Sequence, residues 1–310
     1  MDLAIFIEGQ NGLTWPRWQR LAQATEELGF AGLYRSDHFT NQNPPDKESL
    51  ELWISLAWLA SHTRRIEFGP LVSPVSFRHP VLTARMAAAV DDLSGGRLVL
   101  GLGAGWQARE HTNFGYDLLE LPERFDRFEE GLQVITYLLH SDAPVDFNGR
   151  YFHLHDAILL PRPQRPNGPP IVIGGQGPHR TLPLVARFAD EWNTPEISPQ
   201  EFIRLNQQLD RLLQHAGRQP AEVRRSLMTN CTFGKDENEV RQKVAERTYA
   251  RFTMEEFRQR GAIVGTANQI VDQLGVWAEA GVQRMMLQWL DLDDIDSLEA
   301  IASQVAPYFN

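Results

Sequence analysis

The chain has a single cysteine, Cys231, so no intramolecular disulfide can form and no group of thiolates can hold a metal. It sits in an apolar run and reads as a small buried filler rather than a nucleophile. No stretch approaches the roughly 18 consecutive apolar residues of a membrane span. The first residues, MDLAIFIEGQ, carry neither a basic lead nor an apolar run of signal-peptide length. A cytoplasmic location is therefore expected, with Asn230-Cys231-Thr232 a chance match to a glycosylation acceptor. Positive charge is the scarcer sign: 30 Lys and Arg stand against 40 Asp and Glu, a formal net charge of −10. That balance argues against a nucleic-acid partner, which favours a basic face. It leaves an anionic small molecule open, because a few arginines placed locally can overrule the global field. Repeats of solenoid length and low-complexity tracts are also missing.

What is present is alternation. Short apolar runs at residues 3–7, 32–36, 66–72, 97–101, 171–174, 191–194, 226–233 and 283–289 read as strands, with segments of helical period between them. Such alternation favours a parallel sheet, and eight units favour closure into a (β/α)8 TIM barrel. A chain of 310 residues can form it as one domain. A doubly wound open sheet is the alternative. Two segments break the rhythm. Residues 145–170, after the fourth helix at 122–139, hold Asn148-Gly149 within apolar-polar alternation, the mark of a tight hairpin. They end in PRPQRPNGPP, which cannot continue as helix or central strand. Residues 235–261 are charged and mostly helical in composition, an insertion before the last strand-helix pair.

The chemistry gathers just after strands. Asp37-His38 follows the second strand, where a barrel keeps its site; the histidine reads either as a proton partner or as a loop residue satisfied by backbone. Gly101-Leu102-Gly103-Ala104-Gly105 resembles a dinucleotide loop, but the third glycine of G-x-G-x-x-G would fall on Trp106, and no acidic residue stands at a strand end about 20 residues on. The glycines read instead as a place where a flat ring or its chain can approach the backbone. Trp106, Arg109, Glu110 and His111 would then face the cavity or the cofactor's tail. Gly174-Gly175-Gln176-Gly177 precedes a helix with Arg180-Thr181 in its first turn. Free amides at a positive helix end suit a phosphate there, with an ordinary strand-to-helix turn as the other reading. His153 and His155 share a hairpin face but lack a third metal ligand. Glu129-Glu130 and Asp91-Asp92 lie within helices, away from strand ends, and read as solvated faces. No metal is expected.

These segments carry a resemblance. GPLVSPVSFRHP and LSGGRLVLGLGAGWQAREH, with SDHF at 36–39, FDRFEEGLQVI at 125–135, FNGRYFHL at 147–154, PPIVIGGQGPHRTLPLVARFADEWN at 169–193 and GTANQIVDQLGVWAEAGVQRMML at 265–287, are similar to the luciferase-like flavin and deazaflavin oxidoreductases. They are most similar to the branch that depends on coenzyme F420, and the match runs along most of the chain in order. The resemblance implies F420 as cofactor, with FMN the alternative, and hydride transfer to or from a small organic substrate. An FMN-dependent monooxygenase and a flavin-binding barrel without turnover are the rival readings. It implies His38, beside Asp37, as acid or base. It implies a bulge with a cis peptide at Pro70-Leu71 against the ring, Arg109 near the ring's polar edge, and cofactor phosphate at Gly174 to Thr181. It also implies a homodimer.

Overall fold

A computed structural model describes residues 1–249 and 251–309. In chain order the elements are β1 (Asp2–Ile7), α1 (Trp15–Glu27), β2 (Gly32–Arg35), α2 (Leu52–His62), β3 (Glu67–Pro70), β4 (Ser73–Pro74), α3 (Pro80–Ser94), β5 (Leu100–Gly103), α4 (Ala108–Phe114) and α5 (Leu121–His140). Then come the hairpin strands β6 (Val145–Asn148) and β7 (His153–Ala157), β8 (Ile171–Gly174), α6 (Thr181–Phe188), β9 (Glu191–Thr194), α7 (Pro199–His215) and β10 (Arg224–Phe233). The chain finishes with α8 (Glu237–Thr248), α9 (Met254–Gln259), β11 (Ile263–Gly265), α10 (Ala267–Glu279), β12 (Arg284–Gln288) and α11 (Ile295–Gln304).

The large sheet runs β3-β2-β1-β12-β10-β9-β8-β5-β4, and all its pairings are parallel. Its ends meet where Phe68 bridges Leu98 and the Val99 amide donates to the Phe68 carbonyl at 2.8 Å. The result is the expected (β/α)8 barrel. Side chains alternate along each strand, so one set points inward and the other outward. Ala4, Phe6, Tyr34, Val99, Val172 and Met286 fill the lumen. Leu3, Ile5, Ile7, Leu33, Ile171, Ile173, Met285 and Leu287 pack outward against the helices. Local signals set the element ends. At α3, the His79 side chain accepts from the Val81 amide, Pro80 opens the helix, and Gly95 closes it in the left-handed conformation at φ 70°.

Three expectations shift. The fourth barrel strand was expected over 97–101 and is Leu100–Gly103; residues 97–99 run extended but contact β3 at a single bridge, so regular pairing starts later. The charged insertion contains α8 and α9 as expected, and it is followed by the unforeseen β11, which pairs with the outer end of β10. The non-prolyl cis bond is Leu71–Val72, not Pro70–Leu71. The reason is pairing: the Leu71 amide still donates to the Arg35 carbonyl at 2.8 Å, so the ladder holds through Leu71 and the chain bends after it.

Gly101 and Gly103 lie within β5 rather than in the loop after it. The glycines here serve the seam. A Cβ on Gly69 would stand 1.8 Å from the Val99 carbonyl, and one on Gly101 would stand 2.1 Å from that of Pro70. Backbone meets backbone at these positions, where no side chain fits.

Candidate functional site

The polar residues that could do chemistry sit at the C-terminal ends of the barrel strands. Glu8 follows β1, Asp37 and His38 follow β2, Trp106 follows β5, Gly175 follows β8, and Gln288 ends β12. This is the face on which barrels of this kind build their sites.

His38 is the centre of the group. Its Nδ1 lies 2.7 Å from Oε1 of Glu110, whose side chain is 1% exposed, while His38 itself keeps 17%. The other Glu110 oxygen accepts from the Phe39 amide at 3.0 Å. An ionised carboxylate can only accept, so Nδ1 donates and Nε2 is left facing the mouth. Burial opposes a charge on this ring, but the hydrogen bond and the charge of Glu110, with Glu8 and Asp37 behind them, outweigh it. The His38 pKa is held above the ordinary histidine value. Glu8 is fixed in turn: Gln288 donates to one oxygen and Gln10 to the other, each at 2.8 Å.

Asp37 plays a different part from its neighbour. It accepts from the Ser73 hydroxyl at 2.8 Å and pairs with Arg78, which also reaches Glu51 at 2.8 Å. Through Ser73 and Arg78 the aspartate ties the end of β2 to β4 and the start of α2; both its oxygens accept from Arg78, and the residue is buried. Arg109 forms a two-pronged pair with Asp46, both bonds 2.7 Å, and reaches the Asn41 carbonyl; it clamps the loop after β2 instead of facing the cavity. Glu110 and His111 are turned inward by the short α4. His111 bonds the Gln107 carbonyl and the Ser76 hydroxyl, each at 2.8 Å, and is buried. Trp106 alone of that group stays open, 55% exposed, with its ring edge-on to His38 at 5.5 Å between centroids.

Val72, just past the bend, crosses the tops of β5 and β8. A Cβ on Gly103 would lie 2.6 Å from Val72, and one on Gly174 would lie 3.0 Å from it. With Leu71 beneath, the valine forms a flat apolar seat over the lumen, which side chains at those two positions would break up. Pro70 itself is the last residue of β3, below that seat.

The turn after β8 is anchored from behind. The Gly175 amide donates to the Asn193 carbonyl at 2.9 Å, and the indole of Trp192 donates to the Gly175 carbonyl at 2.8 Å. Gly175 takes φ +127°, and a Cβ on Gly177 would meet the Thr181 hydroxyl at 2.9 Å. The amides of Gln176, Gly177, His179, Arg180 and Thr181 have no partner among the described residues, and they stand at the positive end of α6. Arg180 does not close this cradle. It is the cap residue, 48% exposed, and pairs with Asp126 at 3.1 Å.

Sequence reasoning missed two carboxylates here. Glu8 had a readable signal, an acid directly after an apolar strand, the same sign that marks Asp37. Glu110 as the partner of His38 had none, because 72 residues separate them. Among the described residues no group of three or more His, Cys, Asp or Glu side chains is arranged to hold a metal ion.

A family model described as luciferase-like monooxygenase matches residues 1–284. The chain is 34% identical over 158 residues to the F420-dependent glucose-6-phosphate dehydrogenase of Kineococcus radiotolerans, covering 51% of this chain and 46% of that protein. It thus spans about half the length of such curated relatives. It is 30% identical over 336 aligned positions to the 4-hydroxyprotoasukamycin monooxygenase of Streptomyces nodosus subsp. asukaensis, covering 96% of this chain and 88% of that one. In fold it is similar to the coenzyme F420 dependent tetrahydromethanopterin reductase of Methanopyrus kandleri, with a TM-score of 0.80, 21% identity and full coverage of both chains.

Proposed function

The chain belongs to the luciferase-like monooxygenase family, and from that premise we propose that it is an F420-dependent oxidoreductase moving a hydride to or from a small organic substrate. The observation that carries the reading is His38, oriented by buried Glu110 through Nδ1 and open at Nε2. A barrel that only stored a flavin would have no use for a proton site built in this way.

The residues present fit the cofactor. Val72 with Leu71 offers a flat apolar seat, and the unpartnered amides from Gln176 to Thr181 form a cradle for a phosphate that a Cβ on Gly177 would obstruct. Leu71, Val72, Gly103 and Gly174 would hold the ring, and Gly175, Gln176, Gly177 and Thr181 the phosphate. Bound there, the deazaflavin supplies a centre that gives or accepts a hydride, the part of the reaction no side chain can perform. The protein's share is the proton. His38, as imidazolium, donates from Nε2 to the oxygen of a carbonyl as the hydride reaches its carbon, which leaves an alcohol. In the opposite direction neutral His38 takes the hydroxyl proton as the hydride departs. Glu110 holds the ring in the required tautomer and favours its charged form.

The second reading is an FMN-dependent monooxygenase, favoured by the relative matched over nearly the whole chain. Titrating the purified protein separately with F420 and FMN, by absorbance and fluorescence quenching, decides between them. Saturable F420 binding is expected; tight FMN binding with no F420 binding would overturn the deazaflavin reading.

A homodimer is part of the proposal. The outer faces of α2 and α3 carry Ile54, Leu82 and Leu93, each about half or more exposed, beside partly covered Trp58 and Met86. Large apolar side chains left in water on two neighbouring helices suit a partner. Light scattering should give twice the chain mass, and Ile54→Glu with Leu93→Glu should halve it. No helix among the described residues is long and apolar enough to cross a membrane. The lone, buried Cys231 suits the proposed cytoplasmic setting.

A further inference from the structure

The mouth around His38 has aromatic surface on one side and negative charge on the other. Trp106 is 55% exposed and stands edge-on to His38, with an angle of 83° between the rings. The next residue after His38, Phe39, lies parallel to Tyr116 at 5.7 Å and packs on Phe114 at 5.0 Å; Phe114 is itself 54% exposed. A large indole left in water beside a proton-transfer group costs hydrophobic free energy unless something covers it in use.

The charges say what kind of molecule that is. Glu110 lies 2.7 Å from His38, and the charges that act most on its ring are Glu110, Glu8 and Asp37, all carboxylates. Arg78 pairs with Asp37 and Glu51 and Arg109 with Asp46, while Arg124 gives its donors to the carbonyls of Gly105, Leu118 and Leu119. Lys47 turns to the Asn11 side chain at 2.9 Å and lines a different cleft of about 410 Å³, with Arg247 and Tyr249, that includes neither His38 nor Trp106. A phosphate or carboxylate against Trp106 would meet the field of Glu8 and Glu110, and the guanidinium beside it, that of Arg124, already gives its donors to backbone carbonyls.

We propose that Trp106 is the specificity wall of the substrate site, and that the substrate is uncharged, with an aromatic or alicyclic body next to the carbonyl or hydroxyl that faces His38. This rests on the reading of His38 as the proton partner of a hydride transfer. The apolar body lies on the indole, the reacting oxygen reaches Nε2 of His38, and sugar phosphates are turned away by the carboxylates. Trp106 touches substrate; it does not position His38, which Glu110 already does from the other side of the ring.

The test uses acetophenone as the uncharged probe and glucose 6-phosphate as the anionic one. Binding is followed by saturation-transfer NMR and calorimetry on protein loaded with F420, loaded with FMN, and free of either. Acetophenone should bind the wild type, about tenfold more weakly in Trp106→Ala, with most of the affinity restored in Trp106→Phe, as loss and return of one aromatic contact require. Glucose 6-phosphate should bind more weakly than acetophenone in every form. In turnover, Trp106→Ala should raise KM while the pH dependence set by His38 stays in place. Equal acetophenone affinity in wild type and Trp106→Ala, or tighter binding of glucose 6-phosphate, would overturn the proposal. Failure of F420 to bind, with Trp106-dependent acetophenone binding intact, would defeat the deazaflavin reading alone. Because Trp106 is half in water, a retained melting temperature is expected for both variants and confirms that they fold.

Discussion

The two mouths of the barrel are built from the same chemistry and finished differently. At the N-terminal mouth Arg284, 2% exposed, meets Glu67 at 2.6 Å, the Tyr34 hydroxyl at 2.7 Å and Asp2 at 3.1 Å, with Glu191 at 3.7 Å. Burial works against the arginine's charge, but Tyr34, Glu191 and Glu67 outweigh it and push its pKa up; burial, aided by the charge of Glu67, pushes that of Glu191 up. At the C-terminal mouth one carboxylate, Glu110, holds one ring nitrogen of His38 and leaves the other free. The lower cluster surrounds a base that never loses its proton with several partners, and it becomes a staple. The upper pair gives a titratable base a single partner, and it becomes a site. The count of partners and the choice of base separate structure from function here, since both places are buried and ionic.

The largest expected effect is on the upper mouth. His38→Ala should lower kcat by about 10² to 10⁴-fold, the usual worth of a general acid, with a loss of unfolding free energy limited to the bond with Glu110, about 1.5 to 3 kcal/mol. Arg284→Ala should do the reverse: lose about 3 to 5 kcal/mol in urea unfolding, because Glu67 and Glu191 are left without a counter-charge, while turnover per folded molecule persists. If Arg284→Ala abolished turnover in a fully folded sample, the division between the two ends would collapse.

Glu110→Gln sharpens the contrast through pH. The folded His38 pKa is raised, so the pair's stability is fully present below the ordinary histidine pKa and is lost as pH rises through the raised value. Carbonyl reduction, which needs imidazolium, should fall over the same window, and Glu110→Gln should move that inflection to lower pH. The stability difference between wild type and Glu110→Gln, about 1.5 to 3 kcal/mol for a charged hydrogen bond, should shrink as pH rises above the ordinary histidine value of about 6.5. The Arg284 difference should stay flat there, because arginine does not titrate. Smallest of all, Arg109→Ala breaks a partly exposed pair with Asp46 and should cost about 0.2 to 1 kcal/mol, less at high salt.

How much of this was legible follows from the range of each signal. Barrel strands announce themselves in five or six adjacent residues, so the alternation 3–7, 32–36 and onward maps onto the fold with small shifts. β11 escaped because three residues after Gly261 and Ala262 carry too little pattern. Chain position puts Asp37, Arg109 and Arg180 just after strands, but their partners Arg78, Asp46 and Asp126 come from other segments, and a linear pattern does not encode which charge is already taken. The cis bond fell one residue late because Leu71 keeps a ladder bond that proline spacing does not reveal. The glycines of β5 were read as room for a ligand. Most of that room is filled by the protein's own backbone and by Val72.

That seam has a consequence for how the protein can change over time. A methyl group at Gly69 or Gly101 would land within 2.1 Å of a main-chain oxygen, so in a saturation library both codons should return glycine alone. Trp106, half in water a few residues from the second of them, should accept many replacements and still yield folded protein. New substrates are therefore reached by drift at the rim, with the closure of the barrel acting as a ratchet that lets the lip vary and holds the hoop shut.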